Sequence, residues 1–392
     1  MIEMTLDQVL SISSAQAQVV EIGDLIKTPK SDRLHSFTIK GSGWIVISSN
    51  INQTGEYCGD PRYKVGDKVV YIAIDSVLSP ELEAYLIPEG SKITLTNSRV
   101  RSIKIRNAIS QGMIVDINDE LEAMYPGISS KKVGEDVSKL LGVTKYEPPA
   151  SSVPTHMRGK QSKKNHHFKE YHDIKNFKWY SDSGIFEEGE EVYATAKLHG
   201  TSFRAAIVPT HCNTLWKKIK KFFGFLPAYE YVFGSRRCQL QDKPKGYKTF
   251  YEDTVYQKVS EKYKLKDKLH NDVHIYGEIV GPGIQKGYDY NLNDYEFFAY
   301  DVMVGGRFLD SKEFMDWCDQ RSIPRVPYLG PHKFNLESIT KLAEAKVCYN
   351  GQKVREGVVI KVVIEKPHPA VGRRCFKVIS SAYLLGDQSD YH

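Results

Sequence analysis

Short runs of β-branched and aromatic residues, each closed by glycine, proline, aspartate or asparagine, recur through almost the whole chain of 392 residues. They set the fold class before anything else does. In residues 1–145 the runs are 17–26, 37–39, 44–47, 69–74, 93–95, 100–105 and 112–117, with a turn at 64–68 and one short helical pattern at 133–141. Beyond residue 190 they are 191–196, 203–208, 231–233, 274–279, 295–304, 357–364 and 374–379. Helical spacing interrupts these later runs at 254–262, at 311–321 with Phe314, Trp317 and Cys318, and at 336–347. Strands and helices do not alternate strictly, which predicts an α+β chain with antiparallel sheets flanked by helices.

The composition divides the chain. Five or six of these short strands, within about 90 residues, predict a small OB-like β-barrel over residues 1–145. Residues 146–189 carry Pro148, Pro149 and Pro154, then Arg158, Lys160, Lys163, Lys164, His166 and His167, and read as a linker and basic loop. His166-His167 also admits a metal site, but no cysteine or carboxylate stands at ligand spacing, which favours a solvated loop. Residues 190–392 form the second domain. Six cysteines without a CxxC pair argue against a zinc ribbon or disulfide scaffold and point to a reducing, cytoplasmic setting. No secretory signal and no membrane-length apolar run is expected. A net charge of +6 permits a polyanionic partner.

Lys197 ends one strand-like run and is followed by Leu198-His199-Gly200-Thr201, a setting that lets a phosphate approach closely. A lysine amine attacks phosphorus only when neutral, so its pKa must fall below about 10.4. Nearby cations or desolvation would lower it. Glu278 and Glu356 each stand at a strand edge beside glycine and are the candidate carboxylates for a cation. Lys361 and Lys377 lie in strand-like runs, where a buried charge needs a partner that a polyphosphate would supply.

These residues, in this order, resemble the covalent nucleotidyltransferases, and within them the ATP-dependent RNA ligases of the RNA ligase 2 and RNA-editing ligase type. Lys197-Leu198-His199-Gly200-Thr201 looks like motif I, Phe233-Gly234-Ser235-Arg236 like motif Ia, and Tyr276-Gly277-Glu278 running into Gly281-Pro282-Gly283-Ile284-Gln285 like motif III. Phe298-Ala299-Tyr300-Asp301 resembles motif IIIa, Glu356 to Lys361 motif IV, and Phe376-Lys377-Val378-Ile379 motif V. Trp44, the Gly66-Asp67 turn, Asp75 to Leu78 and Ile109 to Met113 are similar to the N-terminal OB module of one branch.

The resemblance implies a lysyl-AMP at Lys197, AMP transfer to an RNA 5′-phosphate, and attack by a 3′-OH. It implies ATP and Mg²⁺ or Mn²⁺ as cofactors, with Glu278 and Glu356 serving the metal and Glu278 the ribose. Arg236 would contact the sugar or the RNA end, Tyr300 would stack on adenine, and Lys361 and Lys377 would contact phosphate. His199 would act after adenylylation. Arg99, Arg101, Lys104 and Arg106 would give the OB-like domain an RNA-binding strand region, with a charged barrel exterior as the plainer reading. The partner would be RNA, a nicked duplex by preference, met by a monomer away from membranes.

There are departures. Motif V commonly has lysines at i and i+2, and here Ile379 takes the second place, with Lys361 or Arg374 as possible substitutes. Ala196 stands where an acidic residue is common, and Ser202 where asparagine is. Only 15 residues (392 − 377) follow Lys377, leaving no room for the C-terminal OB domain of DNA ligases and RNA guanylyltransferases, the alternative enzymes. A non-catalytic nucleic-acid-binding protein is the alternative outside enzymes. The basic aromatic segment Leu215 to Phe225 reads first as a packed surface insertion, then as an RNA contact, and last as a membrane contact.

Overall fold

A computed structural model describes residues 15–386 except 29, 30, 32, 51–60, 90, 92, 107, 147–160, 213, 214, 241–253, 286, 346–351 and 353. The N-terminal part is a five-stranded antiparallel sheet in the order Ile45–Ser49, Leu34–Ile39, Ala17–Lys27, Lys68–Ile72, Met113–Asp116. A register shift between Ile22 and Leu25 bends the long central strand. The sheet curls enough for Ile47 N of the first strand to donate to Ser110 Oγ, 3.0 Å away, beside the last. Both faces are buried. Ala17, Val19, Val70, Ile72 and Val115 look toward Leu82, Leu121 and Leu141, while Val20, Ile22, Phe37, Val69 and Tyr71 close around Trp44.

Local structure departs from the sequence reading at several places. Residues 133–141 form turns, not a helix, because their amides go to the central strand: Gly134 N to Val19 O at 2.8 Å and Val137 N to Ala17 O at 2.9 Å. Residues 93–95 are not a strand, and Ile93 is exposed there. Two unforeseen helices, Pro80–Leu86 and Asp119–Met124, begin on the N-caps Ser79 and Asn118 with glutamate or aspartate in the first turn. The described part of the expected linker, residues 161–189, packs into the fold. From Phe168 onward it supplies core residues: the aromatics Phe168, Tyr171, Phe177, Tyr180 and Phe186 and the aliphatic Ile185 are buried, and Lys175–Asn176 is an edge strand. The proline cluster 148–154 and the basic residues 158 and 160 lie outside the described residues.

The second part stacks two five-stranded sheets. One runs Lys175–Asn176, Cys375–Ile379, Gly357–Val362, Glu191–Lys197, Tyr328–Lys333; the other runs Tyr229–Gly234, Thr201–Pro209, Val273–Val280, Glu296–Val304, Arg307–Phe308. All pairings are antiparallel except that of Lys175–Asn176. Strand alternation gives each sheet one apolar outer face. Val192, Ala194, Val358, Ile360, Phe376 and Val378 pack with Phe177 and Ile339, and Phe203, Ala205, Ile275, Phe297 and Val302 pack with Tyr256 and Phe314. The helices Val255–Lys262, Ser311–Gln320 and Leu336–Ala343 supply those covers and match the helical spacing read from sequence. Polar residues are left on the faces between the sheets.

At one end those inner faces are tied by a buried charge cluster. Lys361 Nζ lies 3.0 Å from Asp301 Oδ1, Arg373 bonds Asp301 Oδ2 and Glu365, and Tyr171 Oη donates to Asp301 Oδ2 at 2.6 Å. Burial alone would push Asp301 up, but Arg373 and Lys361 outweigh it and hold the carboxyl well below the usual range. Removing one member strands opposite charges in the interior, at roughly 3–5 kcal/mol. Asp301→Asn is therefore expected to lower urea stability by about that amount near neutral pH. The contribution is complete above the unfolded carboxylate value of about 4 and fades as pH falls below it toward the native value, so the wild-type advantage shrinks on acidification. An equal gap at acid and neutral pH would contradict this reading.

Candidate active site

At the opposite end of the same cleft, Lys197 closes its strand opposite Gly357. The pairings Lys197–Gly357, Thr195–Val359 and Val359–Lys377 set Lys197 and Lys377 on one face of the sheet, turned toward the second sheet. The approach of these strands requires Gly357. Its φ is +155°, and a Cβ there would drive into the Val378 carbonyl oxygen. Gly200 is required for a similar reason: a Cβ would strike the Ile279 carbonyl oxygen and come within 2.9 Å of Glu278 Cγ. The loop after Lys197 is thereby laid directly on the strand that carries Glu278, and Ser202 stands opposite Glu278 in the register.

Glu356 is the centre of the site. Its side chain is 2% exposed and its Oε1 is ion-paired with Lys197 Nζ. Its Oε2 is buried without a hydrogen bond among the described residues, with His199 Nδ1 3.9 Å away. Burial pushes the Glu356 carboxyl up, and Lys197 offsets part of that. Lys377 is pushed down to about 8, by burial first and then by the charge of Lys197, while Glu356 and Asp75 pull it partly back. A buried carboxylate oxygen with no bond among the described residues, with Glu278 on the other sheet acting on the same Tyr290 as Glu356, fits the oxygen donors that a hard divalent cation takes.

His199 is buried in a cage of tyrosines. Its amide donates to Tyr290 Oη at 2.7 Å, its ring meets Tyr288 edge-on at 4.7 Å between centroids, and its two ring nitrogens lie 3.4 and 3.5 Å from Tyr383 Oη. Tyr300 lies on the cleft side of its strand, its Oη 3.4 Å from Ser202 Oγ and its ring against Tyr171. Arg236 sits at the exposed rim, paired with Asp173.

Three sequence assignments are corrected. Lys361 shares the face of Lys377, but its amine is buried against Asp301 at the far end of the cleft and is committed there. Arg374 is turned away, 2.9 Å from Glu190, and so does not replace the missing second lysine. Arg99 is 2% exposed, 2.6 Å from Asp75 and 3.6 Å over the Tyr146 ring, so it is an internal strut and not an RNA-facing residue. Arg101 is half-buried with a buried Nε lacking a bond among the described residues, while Lys104 and Arg106 are exposed. His166 Nδ1 lies 3.0 Å from His211 Nδ1, and no group of three ligand residues suited to a metal occurs among the described residues.

The sequence reading also missed contributors. Asp75, in the N-terminal part, acts on Lys377, and its neighbour Ile74 packs on the cluster of Leu198, Ile379 and Tyr383 beneath the site. Asp75 has a φ of 66°, and an aspartate before a strand-type run was the one local signal for it. Arg204, wholly buried, bonds the Ser235 and Phe168 carbonyls at 2.9 Å each and so anchors the turn that carries Arg236. The tyrosines at 288, 290 and 383 had no signal beyond their number.

Residues 190–379 match the sequence model of the RNA ligase family. No curated protein matches the chain. Solved structures do. A Naegleria gruberi RNA ligase variant with ATP and Mn aligns at TM-score 0.70 and 21% identity, covering 94% of this chain and 98% of that one. The same organism's RNA ligase with PPi aligns at 0.69 and 21%, with the same coverage. A variant with AMP and Mn aligns at 0.70 and 21%, again covering 94% and 98%. At that identity the likeness is one of fold, and it spans both parts of the chain.

Because Glu356 opposes the fall of the Lys377 pKa, Glu356→Gln is expected to move the Lys377 midpoint further below about 8. Resonances of ¹³C-methylated lysines, assigned by a Lys377→Arg variant, would report it; an unchanged or raised midpoint would sink the assignment.

Proposed function

We propose that this chain, whose residues 190–379 match the RNA ligase family model, is an ATP-dependent ligase that joins RNA 5′-phosphate and 3′-OH ends through a lysyl-AMP. The observation that carries the reading is the buried Glu356, with one oxygen on Lys197 and the other without a bond among the described residues. Burial makes that carboxylate a better base than a solvated one. The ammonium proton first passes to Glu356 Oε1; the neutral Lys197 amine then forms its bond to the α-phosphorus of ATP, pyrophosphate leaves with the electrons of the broken P–O bond, and the second proton shed by the nitrogen leaves with the pyrophosphate.

Glu356 Oε2 and Glu278 would hold Mg²⁺ or Mn²⁺, which when bound supplies charge neutralisation at the phosphates. Lys377, half-buried on the face of Lys197, binds the phosphate that reacts. Glu278 also takes the ribose, Tyr300 offers its ring to adenine, and Arg236 at the rim meets the sugar or the incoming RNA end. His199, held in its tyrosine cage, orients the 5′-phosphate after adenylylation. AMP then passes to the RNA 5′-phosphate, and the 3′-OH displaces it. The N-terminal sheet acts as an OB-like RNA grip through Lys104 and Arg106, exposed on one hairpin. A nicked duplex, a monomeric cytoplasmic enzyme and a role in RNA repair complete the reading.

Mass spectrometry of the protein with ATP and Mg²⁺ or Mn²⁺ tests it. An AMP adduct should map to Lys197, vanish in Lys197→Ala, and form at least about a hundredfold more slowly in Glu356→Ala and Glu278→Ala. An adduct on another residue, or one formed from GTP in preference to ATP, would overturn it.

A further inference from the structure

The chain leaves the strand Thr201–Pro209 and returns at Tyr229–Gly234 through an insertion that the proposed chemistry does not use. Its stem is fixed: Thr210 N bonds Ala228 O at 3.0 Å and Thr210 Oγ1 bonds Pro227 O at 2.6 Å. Above the stem stands the helix Leu215–Phe222, prolonged by a bond from Phe223 N to Ile219 O at 3.0 Å. Leu215, Trp216, Phe222, Phe223 and Phe225 are between 65% and 84% exposed, so the segment is not the packed insertion that the sequence suggested. Residues 215–225 hold four lysines, at 217, 218, 220 and 221, and no acidic residue.

At about 100° per residue, Leu215, Trp216, Ile219, Phe222 and Phe223 fall within one arc of roughly 120°, and the four lysine positions fall in the remainder. That segregation separates two kinds of partner. A single-stranded RNA platform sets rings and cations on the same face, so that bases stack where phosphates are neutralised. A lipid surface asks for the segregated pattern, with the apolar arc in the acyl boundary and lysines along its margins among the headgroups. The exposed rings also continue past the helix through Gly224 to Phe225, as a projecting tip suited to a plane. The tip lies at the far end of a nine-residue strand from Thr201, roughly 27 Å away, so contact there leaves the Lys197 cleft open. Among the described residues no helix is long and apolar enough to cross a membrane, so the contact is peripheral.

We propose that this insertion is an interfacial helix that attaches the protein to the surface of an anionic lipid bilayer. Sedimentation of the full-length protein with phosphatidylcholine vesicles, and with vesicles of equal parts phosphatidylcholine and phosphatidylglycerol, tests it. The protein should pellet with the anionic vesicles, far less with the neutral ones, and less as salt is raised. Phe222→Ser with Phe223→Ser should weaken that binding by about tenfold or more, and Lys217→Glu with Lys218→Glu, Lys220→Glu and Lys221→Glu should abolish it. Both variants alter an exposed surface, and unchanged circular dichroism and thermal unfolding would certify their folds. The proposal fails if wild type ignores anionic vesicles or if the serine variant binds them as wild type does. It fails too if the serine variant loses RNA affinity, or converts an oligomer to a monomer, while vesicle binding is untouched.

Discussion

A carboxylate buried at the end of a strand, with only one of its oxygens satisfied by the neighbouring lysine, is the constraint around which this molecule is arranged. Glu356 is 2% exposed. Desolvating an ionised carboxylate costs several kcal/mol even after relaxation, and a single ion pair repays that only with further bonds to the remaining oxygen. Within the described residues Oε2 has none. A fold optimised for stability alone would place a hydrophobic residue there. Retention of a half-satisfied charge is what a site looks like when the missing partner arrives with the substrate, and the two glycines that a Cβ would wreck, Gly200 and Gly357, serve that same geometry.

The two ends of the cleft use one chemistry for opposite purposes. At the Asp301 end, two cations and a tyrosine hydroxyl saturate one carboxylate, and the cluster is closed and structural. At the Glu356 end, two lysines share a face with one buried glutamate, and Lys377 is pushed down to about 8 by burial and by Lys197. Excess positive charge in a desolvated place is unfavourable in the empty protein. It becomes favourable when a polyanion is bound, because electrostatic preorganisation leaves little to rearrange in the transition state. The closed cluster fixes how the two sheets sit, and the open one is positioned by that.

The candidate site is legible in the sequence where a charged side chain stands close to a glycine, and hidden where the fold brings distant residues together. Lys197, His199, Gly200, Glu278 and Glu356 sit at strand ends beside glycines, a pattern visible in one dimension, and the structure gathers them. Lys361 was misread because a lysine four residues after Gly357 has the same alternation phase whether it faces a ligand or a buried aspartate. Only the partner strand carrying Asp301 decides. Arg99 failed likewise: a basic residue in a strand-rich region reads as surface until Asp75 and Tyr146 are found around it. The stretch 161–189 was mistaken for a linker because lysines and histidines at its start obscured the spacing of Phe168, Tyr171, Phe177 and Tyr180, which are core residues.

That misreading bears on how the two parts cooperate. Trp179, from the stretch taken for a linker, meets Trp44 at 5.4 Å and Tyr71 at 5.6 Å between ring centroids inside the N-terminal core. Beside it Lys178 is driven down to about 8 by burial, with its amine on Gln111 Oε1 at 2.9 Å and its carbonyl taking the Gly43 amide at 2.7 Å. On the other side of the contact, Ile74 and Asp75 reach the floor of the lysine cleft. A tethered RNA grip would need none of this. Buried aromatics and a desolvated lysine at the junction join the N-terminal sheet to the strands that hold Lys197 and Lys377, so the wall of the cleft is built from residues on both sides of that contact.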